Sequence, residues 1–334
     1  MKICVVGAGA IGGLLAAKLA ASEQDVTVIA RGAHLEAIKE SGLQLDRDGG
    51  ETITAKVAAT DNILDIAKQD LIILAVKAHQ VAATVENLPS AFHDNTVVMT
   101  AQNGIPWWYF DGIGSPYAGR TLQSVDPKDK IRTFLPIEHV IGSVVYPAAE
   151  ITAPGRVKHL EGNRFSLGEI DGSDTPRIAA ISEALREAGF KAPVLTDIRS
   201  EIWTKLWGNL TFNPISALTH ATLVDICQHP QTRALAADMM AEAQAVAEKL
   251  GVRFKVSLER RIAGAEAVGA HKTSMLQDVE AGRFLEIDAL LGSVVELARL
   301  TETPTPRLDA IFACTKLLQQ SLGNAGGRLR IEPN

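Results

Sequence analysis

A chain of 334 residues with 46% hydrophobic content has the length for two domains, or one large one, and enough apolar side chain to bury a core. Its formal net charge of −6 argues against nonspecific nucleic-acid binding, which needs a basic surface, but still admits a small anion in a local basic pocket. The three cysteines (Cys4, Cys227, Cys314) are widely spaced and read as buried thiols of a reducing cytosol; no Cys/His spacing suits zinc, and no apolar run is long enough to span a membrane.

The first half alternates strands with helices, the pattern of a parallel sheet. Strands are expected at 2–6, 25–30, 70–76 and 95–100, and helices at 10–22, 32–41 and 78–88. Leu71 to Val76 is a continuous apolar run, as a strand covered on both faces requires. Strand-like pieces follow at 139–147, 155–160 and 164–169, then a helix at 175–188 and a short strand at 192–195. Beyond residue 197 the pattern is helical throughout: 197–212, 215–220, 230–250, 255–268, 273–280, 284–300 and 305–322. The expected fold class is therefore α/β, with a Rossmann-type doubly wound sheet over 1–196 and an all-helical domain over 197–334. The active site is expected in the cleft between them, outside the carboxyl ends of the strands. The tail after Leu322, with Gly323, Gly326 and Gly327, is expected to be mobile.

The first strand runs straight into Gly7-Ala8-Gly9-Ala10-Ile11-Gly12, a G-x-G-x-x-G turn that opens a helix. Gly7 permits the tight turn, Gly9 lets backbone N–H groups approach a pyrophosphate, and Gly12 lets the helix pack closely on the strand. The helix N-terminus adds unpaired donors and a positive dipole end. Lys2 followed by an apolar run also has the outline of a secretory signal, but four glycines in that run suit a nucleotide turn and not a signal helix.

An NAD site usually places Asp or Glu at the end of the second strand; here Arg31 follows Val26 to Ala30. A guanidinium suits a 2′-phosphate and stacks on adenine, so NADP(H) is the expected cofactor. Lys77, after the strand ending at Val76, adds positive charge on the same edge. The plainer alternatives are a solvated arginine in a turn and a lysine at a strand end.

Three features carry chemistry. Asn103-Gly104 follows the 95–100 strand and places a carboxamide at a strand end, although Asn-Gly is also a common turn. Lys205, Asn209 and Asn213 stand at i, i+4 and i+8, along one helix face flanked by Trp203, Leu206, Trp207, Leu210 and Phe212. Pro214 is expected to bend or end that helix at Asn213. Ser274 reads as a helix N-cap, with Gln277 completing a capping box. Glu286 sits among Phe284, Leu285, Ile287 and Leu290, so it either turns to solvent or meets a polar partner.

Together these residues resemble the ketopantoate reductase family (2-dehydropantoate 2-reductases) along nearly the whole chain. The likeness rests on the glycine turn, Arg31, Val76-Lys77, Asn103-Gly104, the Lys205/Asn209/Asn213-Pro214 helix, and Ser274 to Asp278 with Glu286-Ile287-Asp288. Family members reduce 2-dehydropantoate to pantoate with NADPH, on the route to pantothenate and coenzyme A. The resemblance implies that Lys205 is the general acid and that Glu286 accepts a hydrogen bond from a substrate hydroxyl. It also implies that Asn209, Asn213 and Ser274 hold the substrate's carboxylate and hydroxyl groups, and that Asn103 bridges substrate and cofactor. No metal is called for, because the ammonium supplies the electrophilic charge. The expected partner is a small 2-oxo acid, with no nucleic acid and no membrane; a homodimer is the candidate assembly and the cytoplasm the expected location.

The chain departs from the family between Gly104 and Val140, where a long segment begins Pro106-Trp107-Trp108-Tyr109-Phe110. Those aromatics have three readings: a cover for the substrate, a subunit interface, or local packing. The rival functions are a relative acting on another 2-oxo acid, a dehydrogenase of a 3-hydroxy acid, and a noncatalytic NADP-binding sensor. The Lys205 helix with Ser274 and Glu286 argues against the second, and a sensor needs neither Lys205 nor Glu286.

Overall fold

Strands β1 (Lys2–Val6), β2 (Asp25–Ile29), β3 (Leu43–Asp46), β4 (Thr52–Ala55), β5 (Ala58–Thr60), β6 (Leu71–Leu74), β7 (Val97–Thr100), β8 (Val140–Val145), β9 (Ala148–Ala153), β10 (Arg156–Glu161) and β11 (Phe165–Glu169) precede residue 170 in the computed structural model, which describes residues 1–47 and 50–327. Among them run helices α1 (Ala10–Ala21), α2 (Gly32–Ser41), α3 (Ala78–Thr84) and α4 (Lys130–Phe134); α5 (Pro176–Glu187) follows. Seven strands form one sheet in the order β11-β8-β7-β6-β1-β2-β5. Every pair from β5 to β8 is parallel, and only β11 runs antiparallel. Between β1 and β6 the strand order reverses, which is where a doubly wound sheet opens a crevice at its carboxyl edge. Ile3, Cys4, Val5 and the whole of β6 are fully buried, as the apolar runs required.

The chain also makes a second sheet, β4-β3-β10-β9, which sequence reasoning did not foresee. Helix α1 lies between the two sheets, and Gly13 is pressed so close to β10 that a Cβ there would sit 2.6 Å from Val157 Cγ2. This explains the apolar character of α1, whose buried residues are Gly12 to Ala17 and Leu19. The short strand expected at 192–195 is reduced to isolated bridges at Lys191 and Val194, because Pro193 has no N–H to give a ladder.

Contacts divide the chain into two units: residues 1–102, 106–121 and 126–198 form the first, and residues 103–105, 122–125 and 199 onward form the second. In the second unit Glu296 holds the short 122–125 piece, its carboxylate accepting the N–H groups of Gln123 (2.8 Å) and Ser124 (2.9 Å). The remaining helices are α6 (Ile198–Thr219), α7 (Leu223–Gln228), α8 (Pro230–Lys249), α9 (Leu258–Ala267), α10 (Ser274–Glu280), α11 (Ser293–Leu300) and α12 (Pro306–Asn324). The α/β class with a helical second part is as expected. The two helices expected at 197–212 and 215–220 are one: α6 runs through Pro214. Leu210, Phe212, Ile215 and Ala217 are all buried around the proline, and burial on both sides outweighs the lost hydrogen bond. The helix expected over 284–300 starts only at residue 287, and its first turn, Asp288–Gly292, is a π-helix.

Trp107, Trp108, Tyr109 and Phe110 are buried in the first unit, so local packing is the reading that holds. The Trp108 Nε1–H donates to Thr100 Oγ1 (3.2 Å), and Gly142 on β8 leaves room for the indole, since a Cβ there would lie 2.7 Å from its ring. Cys4 and Cys227 are buried, and burial pushes the Cys4 thiol up to about 12. Cys314 is exposed, contrary to expectation. The buried positions of α12 are Leu308, Thr315 and Leu322, a stripe that Cys314 misses by one residue. Helix α12 continues two residues past Leu322, and residues 328–334 of the tail lie outside the described residues.

Candidate functional site

At the carboxyl edge of the first unit, β1 ends in the glycine turn. The N–H groups of Gly7 and Ala8 both donate to the Ile29 carbonyl at the end of β2 (3.0 and 3.1 Å). Gly7 has φ +99°, and a Cβ on it would sit 2.7 Å from Val76 Cγ1 after β6. The turn therefore lies at the switch point, with room for glycine alone. A Cβ on Gly12 would collide with the Gly7 carbonyl oxygen and lie 3.0 Å from Ala75 Cβ. Close helix–strand packing is thus what fixes Gly12.

Gly9 differs: a Cβ there would meet nothing within 4 Å, so no protein neighbour demands a glycine. Gly9 is the N-cap of α1, with no side-chain cap and no acidic residue in the first turn. The N–H groups of that turn have no intrahelical acceptor and carry the positive end of the dipole. Ala8 is buried, while Ala10 and Ile11 in the first turn stay partly accessible. This cradle fits a pyrophosphate.

Arg31 follows β2 as the N-cap of α2. It is exposed, and its guanidinium makes no hydrogen bond or ion pair with any described residue. Lys77 caps α3 in a half-buried position, its backbone N–H donating to Gln80 Oε1 (3.1 Å). Gln102, to which the sequence assigned no task, ties the end of β7 to that of β6: its Nε2 donates to the carbonyls of Leu74 (2.6 Å) and Val76 (3.1 Å).

In the second unit, Lys205 Nζ on α6 donates to Asn103 Oδ1 at 2.6 Å. Burial pushes the Lys205 ammonium down to about 8, against the negative charge of Glu286, which raises it. Glu286 is half-buried between the buried Leu285 and Ile287, near enough to Lys205 for its negative charge to act on the ammonium. Asn103, Lys205 and Glu286 are thus brought together from three stretches of chain. Asn209 and Asn213 follow on the same face of α6, Asn213 almost fully buried.

Among the described residues no hydrogen bond joins Ser274 to this group, and Ser274 is not the N-cap. Thr273 caps α10, its Oγ1 accepting the Leu276 N–H (3.3 Å), and Ser274 is the first helical residue, exposed. The Gln277 amide donates to the Lys272 carbonyl (3.1 Å) instead of closing a capping box. Thr and Ser are near-equal caps, so adjacent candidates are told apart only by where the chain enters the helix.

Sequence reasoning also missed Arg261. A Cβ on Gly208 would lie 2.6 Å from Arg261 Nη2, so the guanidinium rests on α6 one turn past Lys205. The available signal was a glycine inside a long helix, which costs about 1 kcal/mol against alanine unless something needs the room.

Family models described as "Ketopantoate reductase PanE/ApbA" and "Ketopantoate reductase PanE/ApbA C terminal" match residues 3–172 and 197–319. A 2-dehydropantoate 2-reductase of Mesorhizobium japonicum is 53% identical over 324 residues, which are 97% of this chain and 99% of that protein. Among solved structures, a Ralstonia solanacearum protein provisionally assigned as a ketopantoate reductase aligns with TM-score 0.92 at 40% identity, over 96% of this chain and 98% of its own. A D-mandelate dehydrogenase solved with NADH and anilino(oxo)acetate aligns with TM-score 0.81 at 25% identity, over 97% and 99%.

Proposed function

The chain belongs to the ketopantoate reductase family, and from that premise we propose that it reduces 2-dehydropantoate to pantoate, with NADPH as reductant and Lys205 as the proton donor. In this reading residues 1–196 hold the cofactor and residues 197–334 hold the substrate and the acid. NADPH, when bound, supplies the hydride. Gly7 to Gly12 receive its pyrophosphate and Arg31 and Lys77 its 2′-phosphate. Arg31 is well placed for this: an exposed cation at a helix N-terminus, with no acidic residue at the end of β2.

The observation that carries the reading is the 2.6 Å bond from Lys205 Nζ to Asn103 Oδ1, together with the charge of Glu286 acting on the same ammonium. Asn103 takes one N–H and so fixes where the others point. As the keto oxygen gains negative charge, Lys205 stabilises it and then delivers a proton. A donor with a pKa of about 8 transfers its proton readily near neutral pH and is still charged there. Asn209 and Asn213 offer carboxamides to the substrate's carboxylate and hydroxyls, as does Ser274 its hydroxyl.

NADPH oxidation against a panel of 2-oxo acids tests the reading, with 2-dehydropantoate the expected best substrate. Preference for another 2-oxo acid would keep the mechanism and change the substrate. No turnover with any of them, despite tight NADPH binding, would favour the sensor. For 2-dehydropantoate, kcat/KM should be flat below pH 8 and fall tenfold per pH unit above it, because only the protonated amine donates.

Cofactor choice is a separate expectation. Arg31→Ala should raise the NADPH dissociation constant roughly 10–100-fold, the scale of losing charge-assisted hydrogen bonds, and weaken NADH far less. Fluorescence titration of both cofactors checks this; equal losses would show that Arg31 does not read the 2′-phosphate.

A further inference from the structure

The π-helical turn Asp288–Gly292 has a visible consequence for hydrogen bonding. In an α-helix the Ser293 N–H would bond to the Ala289 carbonyl four residues back. Here it bonds to the Asp288 carbonyl five residues back, and the Ala289 carbonyl is released. That oxygen accepts the backbone N–H of Ile105 (3.0 Å) and the hydroxyl of Ser293 (2.7 Å). Gly104 lies flat on the same peptide: with φ +93°, a Cβ on it would collide with the Ala289 carbonyl oxygen and lie 2.6 Å from its carbon. The residue before Gly104 is Asn103, bonded to Lys205. The turn's own entry is tied to Glu286, whose carbonyl accepts the Leu290 N–H (3.2 Å).

We infer that this π-turn is the positioning device for the acid: its Ala289 carbonyl grips Gly104-Ile105, and that grip holds the Asn103 carboxamide on Lys205. Gly104, Ala289 and Ser293 are positioning residues, acting through Asn103. The inference rests on the assignment of Lys205 as proton donor. One turn then sets both groups that govern the ammonium, the Asn103 carboxamide by docking and the Glu286 carboxylate by chain continuity. The π-turn is held in turn by α12, where Lys316 Nζ pairs with Asp288 (3.0 Å) and Phe312 covers Gly292. A single extra residue in the helix is what makes the carbonyl available, in keeping with the tendency of π-turns to mark functional sites.

Gly104→Ala is the direct test. The added Cβ meets backbone, which cannot swing aside as a side chain can, and φ +93° is strained for an L-residue. The expected result is a 10–100-fold fall in kcat. The alkaline limb of kcat/KM should also move to lower pH, because an acceptor that favours the charged ammonium has moved away. A double-mutant cycle with Asn103→Ala reads the coupling: if Gly104 acts through Asn103, the double variant is no slower than the slower single variant. Ser293→Ala removes one donor from the same carbonyl and should move the limb the same way with only a few-fold loss of rate; it decides the matter if Gly104→Ala does not fold. Additive effects in the cycle, or an unmoved limb in the folded variants, would overturn the inference. Failure of the underlying reading looks different: Lys205→Ala itself would retain its rate.

Discussion

Lys205→Ala lowers 2-oxo acid turnover roughly 10²–10⁴-fold, the usual loss when a general acid is removed, and leaves NADPH binding intact. The loss should appear in kcat and kcat/KM alike, because the ammonium interacts most strongly with charge that exists only in the transition state. The same side chain is a cost to the fold. Its folded pKa of about 8 lies below the ordinary lysine value of 10.5, and the cause is burial. Below pH 8 both folded and unfolded chains carry the proton, and the full penalty applies. Between pH 8 and 10.5 the unfolded chain binds a proton that the folded chain has released, so stability rises with pH across that window. The penalty is on the order of 3 kcal/mol at most, less where water reaches the partly exposed chain. Lys205→Met, which keeps the volume and drops the charge, should therefore melt no lower than wild type at pH 7 while being as slow as the alanine variant. A near-wild-type rate in either variant removes the mechanism. A slow rate with a collapsed melting temperature in both would make the lysine structural.

What the sequence made legible here is what depends on near neighbours. Gly7 and Gly12 constrain each other across a single turn, so their spacing alone announced the strand, the turn and the helix. Lys205, Asn209 and Asn213 share a face because a helix has 3.6 residues per turn, whatever surrounds it. The second sheet was hidden because β10 pairs with β3, a partner more than a hundred residues earlier, and because β9 is largely exposed and shows no clean alternation. Pro214 misled for the opposite reason: a local rule was overridden by burial that the sequence does not display. Asn103 and Lys205 each stood out alone, but the bond between them joins residues 102 apart in sequence, and no local pattern announces such a pairing. The π-turn leaves no pattern, since a helix with one residue too many reads as a helix.

Gly12→Ala and Gly9→Ala should fail in different ways, and the contrast separates packing from binding. At Gly12 the added methyl runs into the Gly7 carbonyl oxygen on one side and Ala75 on the other. Helix α1 has little room to shift, because the adjacent Gly13 is already close against Val157 of the second sheet. Overpacking of this kind costs about 1–3 kcal/mol or more, and each kcal/mol lowers the melting temperature of a domain of this size by about 2–4 °C. The glycine turn is displaced with the helix, so NADPH affinity falls as well. At Gly9 the added methyl meets no protein atom within 4 Å, and φ −67° is an ordinary value for alanine. The melting temperature should hold, or rise slightly as the unfolded chain loses freedom. NADPH affinity should nevertheless fall at least about tenfold, because the backbone approach to the pyrophosphate is blocked. Thermal melts and cofactor titrations on both variants decide it. If Gly9→Ala binds NADPH as tightly as wild type, the phosphates do not lie over this turn, and the glycines serve the fold alone.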